Sequence, residues 1–255
     1  MKGRLAREWE RRWTGARLAL SGRIHQYGEV MALRRFARAF AVDAWFDVGA
    51  NLGQYATMLR KDVGHKGLIF SFEPNPDVFV QLERKAAGDP KWHVFNMALA
   101  DFDGTASFNI MASHQFSSLG QPADGQDAVF AQRNVVTRSV EVQCARLDEM
   151  MPRLMSEYGF ARPFLKMDTQ GHDKSVCDGA EGVLTHMLGV QTEMAVRPIY
   201  AGATDFRGMI TYLEERGFLL NAVVANNKGH FPLLVEMDGI FVNRAITSDA
   251  GSMSA

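Results

Sequence analysis

The chain has 255 residues, 47% of them hydrophobic, which suffices for one substantial core and makes a single α/β domain with appendages the simplest organisation. Its formal net charge of −1 excludes a surface built throughout for nucleic acid. Ala16-Arg17-Leu18-Ala19-Leu20 is too short and too charged for a secretory core or a membrane span, so a cytoplasmic protein is expected.

The charge is uneven. Residues 1–40 hold ten Lys or Arg against three acids, a local excess of seven, and the remainder is correspondingly acidic. Leu5, Trp9, Trp13, Ala16 and Leu20 recur near the helical spacing, giving an apolar stripe flanked by arginines. Such a segment suits peripheral contact with the inner membrane face; it suits equally a helix docked on the domain or on a second subunit, as in a homo-oligomer. It is set apart as a basic helical segment preceding a domain over 41–246.

The apolar run 44–48 predicts a strand that ends in Asp47-Val48-Gly49-Ala50-Asn51-Leu52-Gly53, and a helix is expected over 54–61. A second strand, 68–72, ends in Glu73. In an open parallel sheet the carboxyl ends of neighbouring strands line the ligand crevice, so Glu73 is placed to accept hydrogen bonds from ribose hydroxyls. The glycine pattern is Asp-x-Gly-x-x-x-Gly, not the G-x-G-x-x-G that cradles a pyrophosphate, which disfavours a nicotinamide-dependent oxidoreductase. It suits a nucleoside with a cationic amino-acid end and no phosphate, such as S-adenosylmethionine.

Further along, 77–87 reads as a helix and 92–97 as a third strand after the turn at Gly88-Asp89-Pro90. The runs 105–110 and 139–145 have strand character. Between them, 111–138 is polar and rich in Ser, Gly, Gln and Asn, and is expected to be a lid over the acceptor. A central strand over 163–167, a helix over 175–188, a strand over 190–195 and a helix over 206–216 follow. The segments 218–225 and 233–242 form a final antiparallel pair across the turn-rich 226–230, and 247–255 is a frayed tail. The alternation predicts a doubly wound sheet. Cys144 and Cys177 lie outside any C-x-x-C and are expected to be reduced core residues.

The second dense site is Lys166-Met167-Asp168-Thr169-Gln170-Gly171-His172-Asp173. Residues two apart on a strand share a side, so Lys166 and Asp168 serve one face, and Glu193 ends the next strand. Methyl transfer from a sulfonium needs alignment and removal of the acceptor's proton. Asp168 is the first candidate base and His172 the alternative, while Lys166 would hold Asp168 ionised or stabilise an alkoxide. Asp168 and Glu193 sharing a Mg²⁺ is a further option, as is a structural ion pair between Lys166 and Glu193.

In order, FDVGANLG, FSFEPNP, FNMALAD, SSLG, VQCARLDE and FLKMDTQGHD resemble the FkbM family of S-adenosylmethionine-dependent methyltransferases, over roughly 44–245. The resemblance implies a class I methyltransferase (Rossmann-like) fold: a doubly wound, mostly parallel, seven-stranded sheet with an antiparallel C-terminal strand. It implies O-methylation of a hydroxyl on a sugar, a glycolipid or polysaccharide, or a secondary metabolite. Carried over, the cofactor contacts are Asp47, Gly49, Ala50, Asn51 and Gly53 in the first motif and Glu73 and Asn75 in the second, with Ala98 or Asp101 near the adenine and Asp168 by the transferred methyl. His172 departs from the family's usual residue there. The absence of an Asn/Asp-Pro-Pro-Tyr-like segment after the fourth strand favours oxygen over nitrogen as acceptor, and no nucleic-acid partner is expected. A non-catalytic binding module is the remaining alternative.

Overall fold

The computed structural model describes residues 2–124, 132–197, 199–225 and 232–247. Two helices, α1 (Lys2–Leu20) and α2 (Tyr27–Ala39), precede β1 (Ala44–Val48), α3 (Gln54–Met58) and β2 (Leu68–Phe72). Next come α4 (Pro76–Ala86), β3 (Trp92–Phe95), β4 (Ala98–Leu99), β5 (Gly104–Met111), β6 (Val136–Ala145), α5 (Leu147–Tyr158) and β7 (Pro163–Met167). The chain continues through α6 (Asp173–Asp178), β8 (Gly189–Ala195), α7 (Phe206–Glu215), β9 (Phe218–Ala225) and β10 (Glu236–Asn243).

Seven strands form one sheet in the order β3-β2-β1-β7-β8-β10-β9. All neighbours are parallel except β10, which runs antiparallel to both β8 and β9. The expected sheet is therefore present, with one antiparallel C-terminal strand. The chain builds outward from β1 to β3 and then returns to β7 on the other side of β1, so the switch point lies between β1 and β7, where such sheets bind ligands.

The central strands read as unbroken apolar runs because both faces are covered. Phe46, Phe70, Phe72, Leu165 and Met167 pack with α5, α6 and α7, while Trp45, Ile69 and Phe164 pack with α2, α3 and α4. Helix α2 is integral to this second layer: Val30, Leu33 and Phe36 are buried, and the Phe36 ring meets Phe164 edge-on at 5.0 Å. The basic segment thus divides, with α2 in the core and α1 docked outside it.

Two elements differ from expectation. The helix expected over 175–188 runs from Asp173 and stops at Asp178; at Gly179, which follows, an added Cβ would stand 1.9 Å from the Ala100 carbonyl oxygen, a close approach that demands glycine. The chain then turns under Asp148, whose carboxylate accepts from the amides of Gly182 and Val183. Helix α5 was not anticipated, since Pro152 interrupts its pattern; Leu147, Met151 and Leu154 nonetheless bury one face. The runs around 105–110 and 139–145 form strands, as expected, outside the main sheet. They pair with each other antiparallel and, through β6, with β4 in a separate three-stranded sheet. Cys144 and Cys177 are free and buried, as expected. The turn 226–230, most of the tail and part of the expected lid (125–131) lie outside the described residues.

Candidate functional site

A cavity of about 310 Å³ opens at the carboxyl ends of β1, β2, β7 and β8. One wall is the turn after β1. Gly49 has φ +77°, and a Cβ there would lie 1.9 Å from the Asp168 carbonyl oxygen, so only glycine lets the turn close against the end of β7. The amides of Gly49 and Ala50 both donate to the Phe72 carbonyl at 3.0 Å, tying the turn to β2. Glu73 closes the wall. Its two carboxylate oxygens accept from the backbone amides of Asn51 (2.7 Å) and Asn75 (2.8 Å), and burial pushes its pKa up to about 7.

Behind that turn is a buried ion pair. Lys166 Nζ donates to Asp47 at 3.0 Å and stands 3.4 Å from the Gly49 carbonyl and 3.9 Å from Asp168. Asp47 also accepts from Ser71 Oγ, which in turn accepts from the Trp92 indole. Burial works against the lysine's charge, but the adjacent Asp47 and Asp168 raise its pKa above the usual range. Beyond it a polar chain crosses the cavity: Tyr55 donates to Gln191, and Gln191 donates to Glu29 of α2, both at 2.8 Å.

The opposite wall is built on Asp168-Thr169-Gln170. Asp173 anchors this turn by accepting from the Thr169 amide and hydroxyl and from Thr192. Gln170 is held at φ +56°, a left-handed conformation that costs a non-glycine residue about 1 kcal/mol or more and is retained at functional turns. The side-chain amide of Gln170 donates to Asp168 (2.7 Å) and to Glu193 (2.8 Å) at once, and its oxygen accepts from the Tyr200 hydroxyl at 2.7 Å. Glu236 and Asp238 of β10 and Glu29 complete the wall. Burial, then the neighbouring Asp168, lifts Glu193 well above the carboxylate range and Glu236 to about 7. Burial, then Glu29, raises Asp238 as well. His172 lines the cavity, and burial lowers its pKa, so the ring is neutral at pH 7.

Of the residues singled out in the sequence, Gly49, Ala50, Asn51, Glu73, Ala98, Lys166, Asp168, His172 and Glu193 line this one cavity. Four do not. Asp47 is fully buried against Lys166, and Lys166 pairs with it and not with Glu193. Gly53 starts α3 against Leu82 and Trp92, Asn75 caps α4 through the Asp77 amide, and Asp101 is exposed and bonded to Ser175. The Mg²⁺ option is not supported: among the described residues no three His, Cys, Asp or Glu are grouped to hold a metal. Where Asp168 and Glu193 would share an ion, the Gln170 amide already bonds both. Sequence reasoning missed Glu29, Tyr55, Gln170, Gln191, Glu236 and Asp238. Only Gln170, inside the D-T-Q-G turn, carried a local signal.

A model of the "Methyltransferase FkbM domain" matches residues 47–220. The chain belongs to the FkbM methyltransferase family. The matched span begins at Asp47 and contains the cavity lining except His25, Gln26, Glu29, Ala225, Glu236 and Asp238. Among solved structures, the FkbM methyltransferase of Methylobacillus flagellatus KT is similar at TM-score 0.50 and 12% identity over 78% of this chain. The alignment covers 43% of that protein, so the present chain spans less than half its length. Magnesium protoporphyrin IX methyltransferase of Synechocystis PCC 6803 with bound S-adenosylmethionine (TM-score 0.47, 9% identity, 87% and 81% of the two chains) and Aeropyrum pernix fibrillarin (0.45, 13%, 78% and 66%) are also similar. At these identities the FkbM structure shares the class I fold and nothing finer is transferred. No curated protein sequence matches this family member.

Proposed function

We propose that this protein transfers a methyl group from S-adenosylmethionine to a hydroxyl of a sugar, a glycolipid or polysaccharide, or a secondary metabolite. The observation that carries this reading is one cavity with two unlike walls. The glycine turn and Glu73 fit a nucleoside: the cavity volume is in the range of small-ligand sites, and Glu73 keeps lone pairs on both oxygens for ribose hydroxyls. When bound, S-adenosylmethionine supplies a methyl already activated on a sulfonium.

The chain's own residues then align the acceptor and remove its proton. Asp168 is half-exposed to the cavity; Gln170 fixes its Oδ1, and no hydrogen bond to Oδ2 engages a described residue. Oδ2 is the atom that takes the hydroxyl proton, and Lys166 at 3.9 Å steadies the resulting charge balance. Glu193, Glu236, Asp238 and Gln170 supply the acceptors and donors that a polyhydroxyl compound satisfies. The same acidity opposes a polyanion such as nucleic acid at this mouth.

The test is release of S-adenosylhomocysteine over a panel of glycans, glycolipids and small alcohols, with and without Mg²⁺. Metal-independent turnover on a hydroxyl compound is expected. Turnover confined to an amine or RNA, or binding of the cofactor with no turnover on any acceptor class, overturns the assignment.

A further inference from the structure

Helix α1 docks with its polar side inward. Arg17 and Arg23 pair with the buried Asp62, Thr14 accepts from the buried Arg34, Arg38 holds Glu10 at 2.9 Å, and Leu18 is the buried apolar residue of this face. The opposite side carries Trp9, Trp13, Ala16 and Leu20, spaced four, three and four residues apart, which is one continuous stripe on a helix. That stripe is left in water: Trp9 is 70% exposed, Trp13 67% and Leu20 91%. Arg12 beside it is exposed too, as is Ile24 just past the helix.

We propose that this stripe seats the protein on an anionic membrane surface, with Trp9, Trp13 and Leu20 among the headgroups and the flanking Arg12 on the lipid phosphates. Two features select this occupant. The first is charge: the positive excess of seven over residues 1–40 attracts an anionic bilayer, whereas a second copy of the helix brings like charge against like. The second is residue type, because indole and guanidinium side chains combine an apolar body with a polar end and settle at the water–lipid boundary. No helix among the described residues is long and apolar enough to cross a membrane, so α1 lies along the surface. The ion pairs to Asp62 and Glu10 fix the helix to the domain, and His25 and Gln26, immediately after it, line the cavity. The binding itself is independent of the methyl-transfer reading.

The test is co-sedimentation of the full chain with vesicles of phosphatidylcholine alone and with vesicles in which phosphatidylglycerol replaces part of it. Pelleting is expected only with the anionic vesicles, and raised salt reduces it. Trp9→Ser with Trp13→Ser, and separately Arg12→Glu, should each weaken binding at least about tenfold while leaving the melting temperature unchanged, since all three side chains are exposed. Equal pelleting of the tryptophan double variant, or no pelleting of the parent with anionic vesicles, overturns the proposal. So does a dimer in vesicle-free buffer that the tryptophan changes dissociate, because the stripe is then covered by a second copy.

Discussion

The two walls of the cavity are made on different plans. The wall from residues 49–73, the one proposed to hold the cofactor, is largely backbone: two amides tied to Phe72, a glycine against the end of β7, and Glu73 locked by two further amides. The wall proposed for the acceptor is assembled from side chains of α2, β8, β10 and the turn after β7, and it is a cluster of carboxylates whose charges oppose one another. On the proposed reading, the first plan holds the methyl donor by chain geometry. The second leaves the specificity-bearing side free to vary without disturbing the fold.

That division separates the effects of substitutions. The largest belongs to Asp168→Asn: kcat should fall about 10²-fold to 10⁴-fold, the usual worth of a positioned base, with affinity for S-adenosylhomocysteine within about twofold of the parent. Glu73→Ala acts on the other wall. Losing a charged, doubly bonded carboxylate should weaken S-adenosylhomocysteine about 100-fold in calorimetry. A smaller effect is expected for Gln170→Leu. With the bridging amide gone, Asp168 and Glu193 repel each other directly, so the acidic limb of the rate profile should move to higher pH and kcat fall roughly tenfold.

The walls also share a pH signature. Glu73 and Glu236 have folded pKa values of about 7, above the 4.5 of a free glutamate. Their contribution to stability is full below about pH 4.5 and is lost as pH rises through 7. On the proposed reading the cofactor bonds the Glu73 carboxylate, so its affinity should rise over the same interval. Denaturation midpoints and calorimetry between pH 5 and pH 8 should therefore move in opposite directions; parallel trends would show that Glu73 does not contact the ligand. The smallest effect is for Asp101→Ala, which should leave S-adenosylhomocysteine affinity unchanged because Asp101 faces Ser175 and not the cavity.

The contrast also explains what the sequence revealed. The strand bounds Ala44–Val48, Leu68–Phe72, Pro163–Met167 and Phe218–Ala225 follow directly from apolar runs and turn residues, and the cofactor wall follows from a contiguous motif. Asp47 was misplaced because a motif gives order along the chain but not which way a strand residue points; here it points at Lys166 across the register Asp47↔Lys166. Glu29, Glu236 and Asp238 left no signal, since 162 residues separate Glu29 from Gln191, its bonded partner, and no local pattern encodes that meeting. The tryptophan stripe of α1 was visible, but its outward orientation depends on Asp62 and Arg34, which only the fold places beneath it.

The most direct measurement of the two-wall account is calorimetric titration of S-adenosylhomocysteine into the parent, Glu73→Ala and Asp168→Asn proteins under one condition. The account predicts binding by the parent, an affinity about 100-fold weaker for Glu73→Ala, and parental affinity for Asp168→Asn. Undiminished affinity in Glu73→Ala would contradict it, as would a loss in Asp168→Asn equal to that in Glu73→Ala.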